Sequence, residues 1–200
     1  MKVKITFTEE LLGTASNNPS VHKEFIASKS PDAEKVREEM ESLPAEEQIE
    51  KSVTVFHRDT DGMPILYDYQ IKGFIKEAVG VMIDLAGEEI RVGKTKVSKF
   101  TFKRVVDNFI FVSPRKIRLA PVGPVCTRPL RADTMRGERV ALATSETVPA
   151  GTVIECEIKT LSAALDDLVK RALDYGALKG MGQFRNSGKG RFSWEEIGMA

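Results

Sequence analysis

Cysteine and long apolar runs are scarce in this chain of 200 residues, and each scarcity excludes a class of protein. Two cysteines, Cys126 and Cys156, do not form the framework of several bridges that stabilises small secreted domains. No apolar run reaches the roughly 18 residues that indicate a membrane span, and Met1 leads directly into an alternating pattern. We therefore expect a protein of the reducing cytoplasm, without a leader peptide and without a membrane partner.

Residues suited to metal binding or catalysis are equally few. The two histidines, His22 and His57, together with two distant cysteines lack the spacing of a zinc site. The segment Asp59 to Gly62 imitates the start of a calcium loop without its further ligands, and a hairpin turn explains it better. The segment Gly87 to Thr95 is one residue too long for a phosphate-binding P-loop and carries acids among its glycines. The sequence therefore predicts no metal, no cofactor and no catalytic residue.

Charge is balanced over the whole chain but uneven along it. The net charge is +1, so attraction to a polyanion has to come from local patches. The segment Asp32 to Glu50 is strongly acidic, and Ser30 and Pro31 are the capping serine and first-turn proline typical of a helix start. The sequence therefore predicts an acidic helical insertion at about residues 30–51.

Three helices are predicted from apolar residues at helical spacing. The first begins at Asp68 and continues through Ile83. A shorter one covers Phe100 to Val106. The last begins after Ser162 and ends at Gly176, a residue type that often terminates helices. Its buried stripe is predicted at Leu165, Leu168, Val169, Ala172 and Leu173.

Alternation of apolar and polar residues predicts the strands. Those around the helices are Lys2–Phe7, Asn108–Val112, Lys116–Leu119 and Arg191–Ile197. A hairpin is predicted from Val140–Thr144 and Val153–Ile158, connected across Pro149 to Gly151. Without insertions the order is β–α–β–β–α–β, which is the ferredoxin-like (RRM-like) α+β arrangement with two helices on one sheet. We expect a single domain over residues 1–200.

The segment from Gly176 to Phe192, GALKGMGQFRNSGKGRF, combines five glycines with four cations and no acid. Glycines let backbone amides approach an anion closely, and cations attract phosphate. Met181 and Phe184 are apolar anchors that favour a loop held by the fold, whereas the alternative is a mobile surface loop. The candidate nucleic-acid-binding residues here are Lys179, Gly180, Gly182, Arg185, Gly188, Lys189, Gly190 and Arg191.

A second basic segment, residues 115–139, is rich in arginine. Arginine is the side chain best suited to bidentate contact with phosphate. The alternative, equally good when the segment is taken alone, is a solvated loop with scattered salt bridges. Two basic segments that flank one sheet favour a nucleic-acid site, with Arg128, Arg131 and Arg136 as further candidates.

Four stretches, taken in order, carry a family resemblance. They are KVKITFTEELLGTASNNP at the start, RDTDGMPILYDYQIKGFIKEAV with an Asp-Gly-x-Pro turn and a Lys-Gly helix, SETVPAGTVIECEI, and LDYGALKGMGQFRNSGKGRF. Together they resemble the RAMP superfamily of CRISPR-associated proteins, in particular its backbone-subunit branch.

The resemblance implies a subunit of an antiviral ribonucleoprotein complex that grips the backbone of a guide RNA or a similar crRNA with its glycine loop. It also implies assembly with copies of itself or with other CRISPR subunits, places Lys72 near the RNA backbone, and makes residues 115–139 a thumb-like insertion. Asn17 and Asn18 stand where some backbone subunits have a catalytic Asp, so target cleavage is not expected. The turn before the first helix, Tyr67 to Gln70, departs from the small Ser-rich turn of the family.

Two other functions remain open at the level of sequence. One is a solitary, phage-encoded mimic of a subunit that docks onto a CRISPR complex and inhibits it, with the acidic segment of residues 32–50 on a basic surface of that complex. The other is a metal-independent endoribonuclease that uses His22, because the endoribonuclease branch uses a histidine early in the chain.

Overall fold

A computed structural model describes residues 1–16, 53–86, 90–92, 94–134 and 137–198. The strands are β1 (Lys2–Phe7), β2 (Leu11–Leu12), β3 (Ala15–Ser16), β4 (Val53–Val55), β5 (His57–Arg58), β6 (Pro64–Tyr67), β7 (Ile90–Val92), β8 (Thr95–Val97), β9 (Ile110–Ser113), β10 (Lys116–Arg118), β11 (Cys126–Thr134), β12 (Gly137–Ser145), β13 (Thr147–Val148), β14 (Val153–Thr160) and β15 (Phe192–Ile197). The helices are α1 (Asp68–Ala86), α2 (Phe102–Phe109) and α3 (Ala163–Lys179). The predicted acidic insertion at about residues 30–51 lies outside the described residues.

Four strands form the central sheet, in the spatial order β15–β1–β14–β9, and each neighbouring pair is antiparallel. Helix α1 lies between β1 and β9 in the chain, and α3 connects β14 directly to β15. The first core strand therefore lies between the third and the fourth, with the second at the edge. This is the ferredoxin-like α+β arrangement predicted from the sequence, and the prediction is confirmed.

The main core lies between this sheet and the two long helices. Alternation in β1 places Val3, Ile5 and Phe7 on the helix side, where all three are fully buried. The predicted stripe of α3 is buried in full, as are the apolar residues at helical spacing in the first half of α1. The local patterns therefore place both helices on the same face of the sheet and leave its other face open.

The end of α3 differs from the prediction. The helix continues through Gly176 to Lys179 and ends at Gly180, whose φ of +73° is left-handed. Gly176 is there for packing, because a Cβ atom on it would lie 2.0 Å from the Phe192 ring. The glycine lets the helix approach β15 closely and does not terminate it.

The predicted hairpin between Val140–Thr144 and Val153–Ile158 is wrong. Residues 140–144 belong to β12, which pairs with β11 in a long hairpin and runs parallel to β4. Residues 153–158 belong to β14, which pairs with β1 and β9 in the central sheet. The turn from Pro149 to Gly151 therefore connects two sheets, because each candidate strand finds its partner elsewhere in the chain.

The remaining boundaries shift by a few residues. Helix α2 and β9 begin two residues later than predicted, at Phe102 and Ile110. Lys116–Arg118 pairs with β6, so this part of the basic segment belongs to the body of the domain, whereas the long hairpin spans residues 126–145. Its thumb-like role remains a prediction. No helix in the described part of the chain is both long and apolar enough to cross a bilayer.

Candidate nucleic-acid interface

Residues 180–191, here called the glycine loop, connect α3 to β15 and are closed at the neck by backbone contact. The Met181 amide donates to the Gly190 carbonyl oxygen at 2.9 Å. Gly190 has a φ of +71°, and a Cβ atom on it would lie 1.9 Å from the Met181 carbonyl oxygen. No other residue fits this position without a shift of the neck, since both the dihedral angle and the space require glycine. The neck therefore holds the loop at a fixed place on the fold.

Three of the loop's glycine amides donate to carbonyl oxygens of the protein. Gly180 donates to Gly176 at 3.0 Å, Gly188 to Arg185 at 2.9 Å, and Gly190 to Glu10 at 2.8 Å. These amides shape the loop and do not point at an incoming anion in this structure. Contact with phosphate at these positions would therefore come from the loop's side chains, and an RNA-binding role of the glycines remains a prediction.

Two apolar side chains anchor the loop, as the sequence suggested. Met181 is buried in the main core. Phe184 has a left-handed backbone (φ 56°), and the Arg128 guanidinium packs on the face of its ring, with the guanidinium carbon 4.7 Å from the ring centroid. A short 3₁₀ turn, Arg185–Ser187, follows it. The cations of the loop are therefore carried on an ordered backbone.

Each of two loop cations pairs with one carboxylate from another part of the chain. The Arg185 Nη1 lies 2.6 Å from Glu77 Oε2 on α1, and the Lys189 Nζ lies 2.7 Å from Glu10 Oε2. The hydrogen bond to Glu10 raises the pKa of Lys189, so this ammonium is charged at neutral pH. The Arg185 and Lys189 side chains are each about a quarter exposed, so both ion pairs are reachable from solvent.

The other two cations of the loop region are less restrained. Lys179, the last residue of α3, donates to the amide oxygen of Asn186 at 3.0 Å. Arg191 is exposed at the start of the final strand and lies beside Gly188. Together with the two paired cations they surround the loop with four positive charges.

Arg128 lies under the loop and is only 8% exposed. Its guanidinium donates to the Ser145 hydroxyl at 2.9 Å and to the Gln183 side-chain oxygen at 3.1 Å. Its Nε is buried and has no hydrogen-bond partner. The side chain therefore joins the β11–β12 hairpin to the glycine loop, and its burial leaves little surface for direct contact with RNA.

Lys72 lies on a different side of α1 from Glu77 and contacts residues of α2 and β9. Its Nζ donates to the Asp107 carbonyl oxygen at 2.7 Å and lies 5.2 Å from the Phe111 ring centroid. Burial lowers the pKa of this ammonium, although Asp107 raises it. Lys72 therefore lies at the β9 edge of the sheet, whereas Glu77 of the same helix contacts the glycine loop. Of the two remaining candidates, Arg131 is a residue of β11 opposite Val140, and Arg136 lies outside the described residues.

A cleft of about 380 Å³ opens between α1 and the glycine loop. We call it the α1–loop cleft. Its apolar wall includes Leu11, Leu12, Phe74 and Met181, and Tyr69, Gln70, Gly73, Glu77 and Arg185 also line it. The Gln70 amide is fixed by two hydrogen bonds, to the Thr14 hydroxyl and from the Tyr67 backbone amide.

Sequence reasoning missed this cleft and the two acids that pair with the loop cations. Glu10 and Glu77 are ordinary residues in their local context, and no spacing marks them as partners of the loop. The role of Gln183 was also missed. The sequence shows only that it is an uncharged polar residue between Gly182 and the Phe184 anchor.

The open face of the sheet is chemically different from the loop end. Its two central strands present Lys4, Thr6, Glu155 and Glu157, and Lys4 pairs across to Glu195 at 2.7 Å. No aromatic side chain occupies this face of β1 or β14, so the two central strands lack the stacking platform of an RRM sheet. The exposed Phe111 lies on the edge strand β9.

No three His, Cys, Asp or Glu side chains in the described part of the chain lie close enough to hold a metal ion. His57 is 3% exposed and packs edge-to-face on Tyr67 at 5.0 Å, which is the environment of a structural histidine. His22, Asn17 and Asn18 lie outside the described residues.

No protein-family model matches the chain, and no curated protein matches it in sequence. Solved structures do match its fold. One is a chain of the Type III-B Cmr-beta bound to cognate target RNA, with a TM-score of 0.53 and 10% identity. The match covers 98% of this chain but 58% of that one, so the present chain spans little more than half of it.

Two further solved structures are similar at lower scores. A chain of a Type IV-B CRISPR complex has a TM-score of 0.46 at 11% identity, and the match covers 97% of the present chain and 88% of that one. Cmr6 from Pyrococcus furiosus has a TM-score of 0.48 at 10% identity, and the match covers 96% of both chains. The comparison with the Cmr-beta chain shows that the two chains share a fold.

Proposed function

We propose that this chain is a non-catalytic, RNA-binding subunit of the CRISPR-associated backbone type. In this proposal the glycine loop grips the phosphates of a guide RNA, and like subunits assemble along the strand. The observation that carries the proposal is an ordered loop with three cations, and a fourth at the end of α3, at one end of a RAMP-like fold. The similar chain is part of the Type III-B Cmr-beta bound to cognate target RNA, and RNA is the class of ligand proposed here.

The electrostatics of the loop favour a phosphate backbone over a specific base sequence. Lys179, Arg185, Lys189 and Arg191 all lie within the loop or at its ends. Arg185 and Lys189 each face one exposed carboxylate, which an RNA phosphate can replace as the anionic partner. Arg128 has a positioning role, because it holds Phe184 and Gln183 from below.

Binding of this kind depends on salt. Each phosphate contact with a single strand contributes about 0.7 to the slope of log affinity against log salt. Replacing Arg185 and Lys189 by Ala is therefore expected to weaken binding to RNAs of any sequence and to reduce this slope by about 1.4. A fluorescence-anisotropy titration of a uridine-rich RNA at several salt concentrations measures both quantities.

The matched control removes two cations far from the loop. Lys4 pairs with Glu195 at 2.7 Å and Lys170 pairs with Glu196 at 2.9 Å, so Lys4→Ala with Lys170→Ala changes the net charge equally. We expect this control to leave affinity and slope close to wild type. Equal effects of both double variants would contradict the loop assignment.

Assembly is tested by light scattering of the purified protein before and after ribonuclease treatment. Long particles that collapse after treatment support a backbone subunit. A uniform monomer that binds no RNA at low salt contradicts the proposal and favours the interaction protein that inhibits a CRISPR complex.

A further inference from the structure

The α1–loop cleft has the size and surface of a small-ligand site. Its volume of about 380 Å³ lies within the range of about 300–1,000 Å³ that is typical of ligand pockets. Leu11, Leu12, Phe74 and Met181 line it, and each is at most 5% exposed. Polar groups lie among them, which include the Gln70 amide and the Arg185 guanidinium. An apolar slot with a few fixed polar groups suits a flat aromatic ligand with polar edges.

An aromatic stack ends at this cleft. Tyr69 lines the cleft and stacks on Tyr67, with ring centroids 5.4 Å apart and an interplanar angle of 12°. The Arg115 guanidinium lies 5.1 Å from the Tyr67 ring centroid. Tyr67 is fully buried, so the stack is held in place by the core. An aromatic side chain can stack on any of the four nucleobases, because every base has a π face.

Gly73 lines the cleft on the α1 side and has no side chain to narrow it. It is an interior residue of α1, yet a Cβ atom on it would meet nothing within 4 Å. Packing therefore does not require glycine here, and glycine is a poor helix former. A larger side chain at this position would project into open space beside the cleft.

Arg185 connects the cleft to the glycine loop. The residue lines the cleft and carries one of the loop cations, with Glu77 of α1 as its partner at 2.6 Å. A phosphate at Arg185 would therefore bring the base of its own nucleotide to the mouth of the cleft.

We propose that the α1–loop cleft takes one nucleobase of the bound RNA, turned out of the strand, while an adjacent phosphate lies at Arg185. The inference rests on the proposed RNA-binding function and adds a base-binding site to it. The expected ligand is a single unstacked base of a single-stranded RNA, without a requirement for a particular sequence.

The test uses a uridine-rich RNA that carries one 2-aminopurine, a base whose fluorescence falls when it stacks on an aromatic ring. Gly73→Met places a long non-aromatic side chain at the mouth of the cleft, and Gly73→Ala is the matched control because its Cβ atom has open space. We expect wild type and Gly73→Ala to quench the fluorescence. Gly73→Met is expected to abolish the quenching and to weaken affinity about tenfold, in line with the loss of one base–aromatic stack.

A second variant guards against misfolding of the bulky one. Tyr69→Leu keeps an apolar helical residue and removes the ring, so it is expected to reduce quenching as well. Unchanged quenching and affinity in both variants, with binding still sensitive to the Arg185 and Lys189 double variant, would overturn the base site and leave the proposed function standing. A wild-type protein that binds no RNA would overturn the proposed function itself, and the base site with it.

Discussion

The Arg128 guanidinium lies 4.7 Å from the centroid of the Phe184 ring and joins the β11–β12 hairpin to the glycine loop. Phe184 has a left-handed backbone, which costs energy for a residue with a Cβ atom. The hydrogen bond from Arg128 to Gln183 holds the residue just before it. The hairpin and the loop are therefore mechanically coupled through one buried cation.

Arg128→Lys tests this coupling. Lysine keeps the positive charge but has no planar fork, so it cannot reach Ser145 and Gln183 together. We expect the free energy of unfolding to fall by about 1–2 kcal/mol, measured by urea denaturation, and RNA affinity to fall with it.

Arg118→Lys is the control for the same change at the surface. Arg118 also bridges two acceptors, Asp59 and Asp61, but its side chain is 59% exposed. Its loss of stability should be smaller, below about 1 kcal/mol, because the Arg118 guanidinium lies in solvent and its pair with Asp61 is exposed on both sides. Equal losses in the two variants would show that burial of Arg128 does not matter.

Under the proposed function, the carboxylates of Glu10 and Glu77 compete with RNA for the loop cations that they pair with. Glu10→Gln and Glu77→Gln remove this competition and should raise RNA affinity, each by up to about fivefold, as expected for an exposed pair of about 0.2–1 kcal/mol. Glu195→Gln changes the net charge equally, but its partner is Lys4 on the open sheet face. RNA affinity is measured by titration at low salt. An equal gain in affinity for Glu195→Gln would contradict competition at the loop.

The parts of the fold that follow from local pattern could be predicted from the sequence. The alternation of β1 and the stripe of α3 arise because one face of each element is buried. Apolar residues then recur in the sequence with the period of a strand or of a helix. The pairing of β14 could not be predicted in this way, since its neighbour β1 lies some 150 residues earlier. Gly176 was misread for the same reason, because its meaning depends on the Phe192 ring.

The candidate site divides along the same line. The cations and glycines of the loop are contiguous in sequence and were visible there. Their partners were not, since Glu77 lies 108 residues from Arg185 and Glu10 lies 179 residues from Lys189. The burial of Arg128 also depends on distant strands, so an arginine in a basic segment gave no sign of a structural role.

Gly190→Ala should open the neck of the glycine loop. The substitution adds a Cβ atom 1.9 Å from the Met181 carbonyl oxygen at a φ of +71°. We expect the free energy of unfolding to fall by about 2–4 kcal/mol, with weaker RNA binding because the cations lose their scaffold. Gly62→Ala separates strain from clash, since its φ is +75° but a Cβ atom meets nothing within 4 Å. Its cost in urea denaturation should be only about 1–2 kcal/mol.

The two thiols should differ in reactivity. Cys156 is 4% exposed, and burial raises its pKa from 9.0 to about 12, so it is a neutral thiol at pH 8. Cys126 is partly exposed at the start of β11. A disulfide reagent at pH 8 is expected to modify one thiol of the native protein quickly and the second only after unfolding. Cys126→Ser should abolish the fast phase, and a fast phase that survives would contradict the burial of Cys156.

The same thiol gives a pH dependence of stability with a defined sign. The folded state holds the proton of Cys156 more tightly than the unfolded chain, so its contribution is complete below about pH 9. It is lost as the pH rises from 9 toward about 12, because the unfolded thiol ionises first. Urea midpoints at pH 8 and pH 10.5 should therefore fall more steeply for wild type than for Cys156→Ala, which carries no ionisable group. Parallel declines would show that the thiol proton does not contribute to folding.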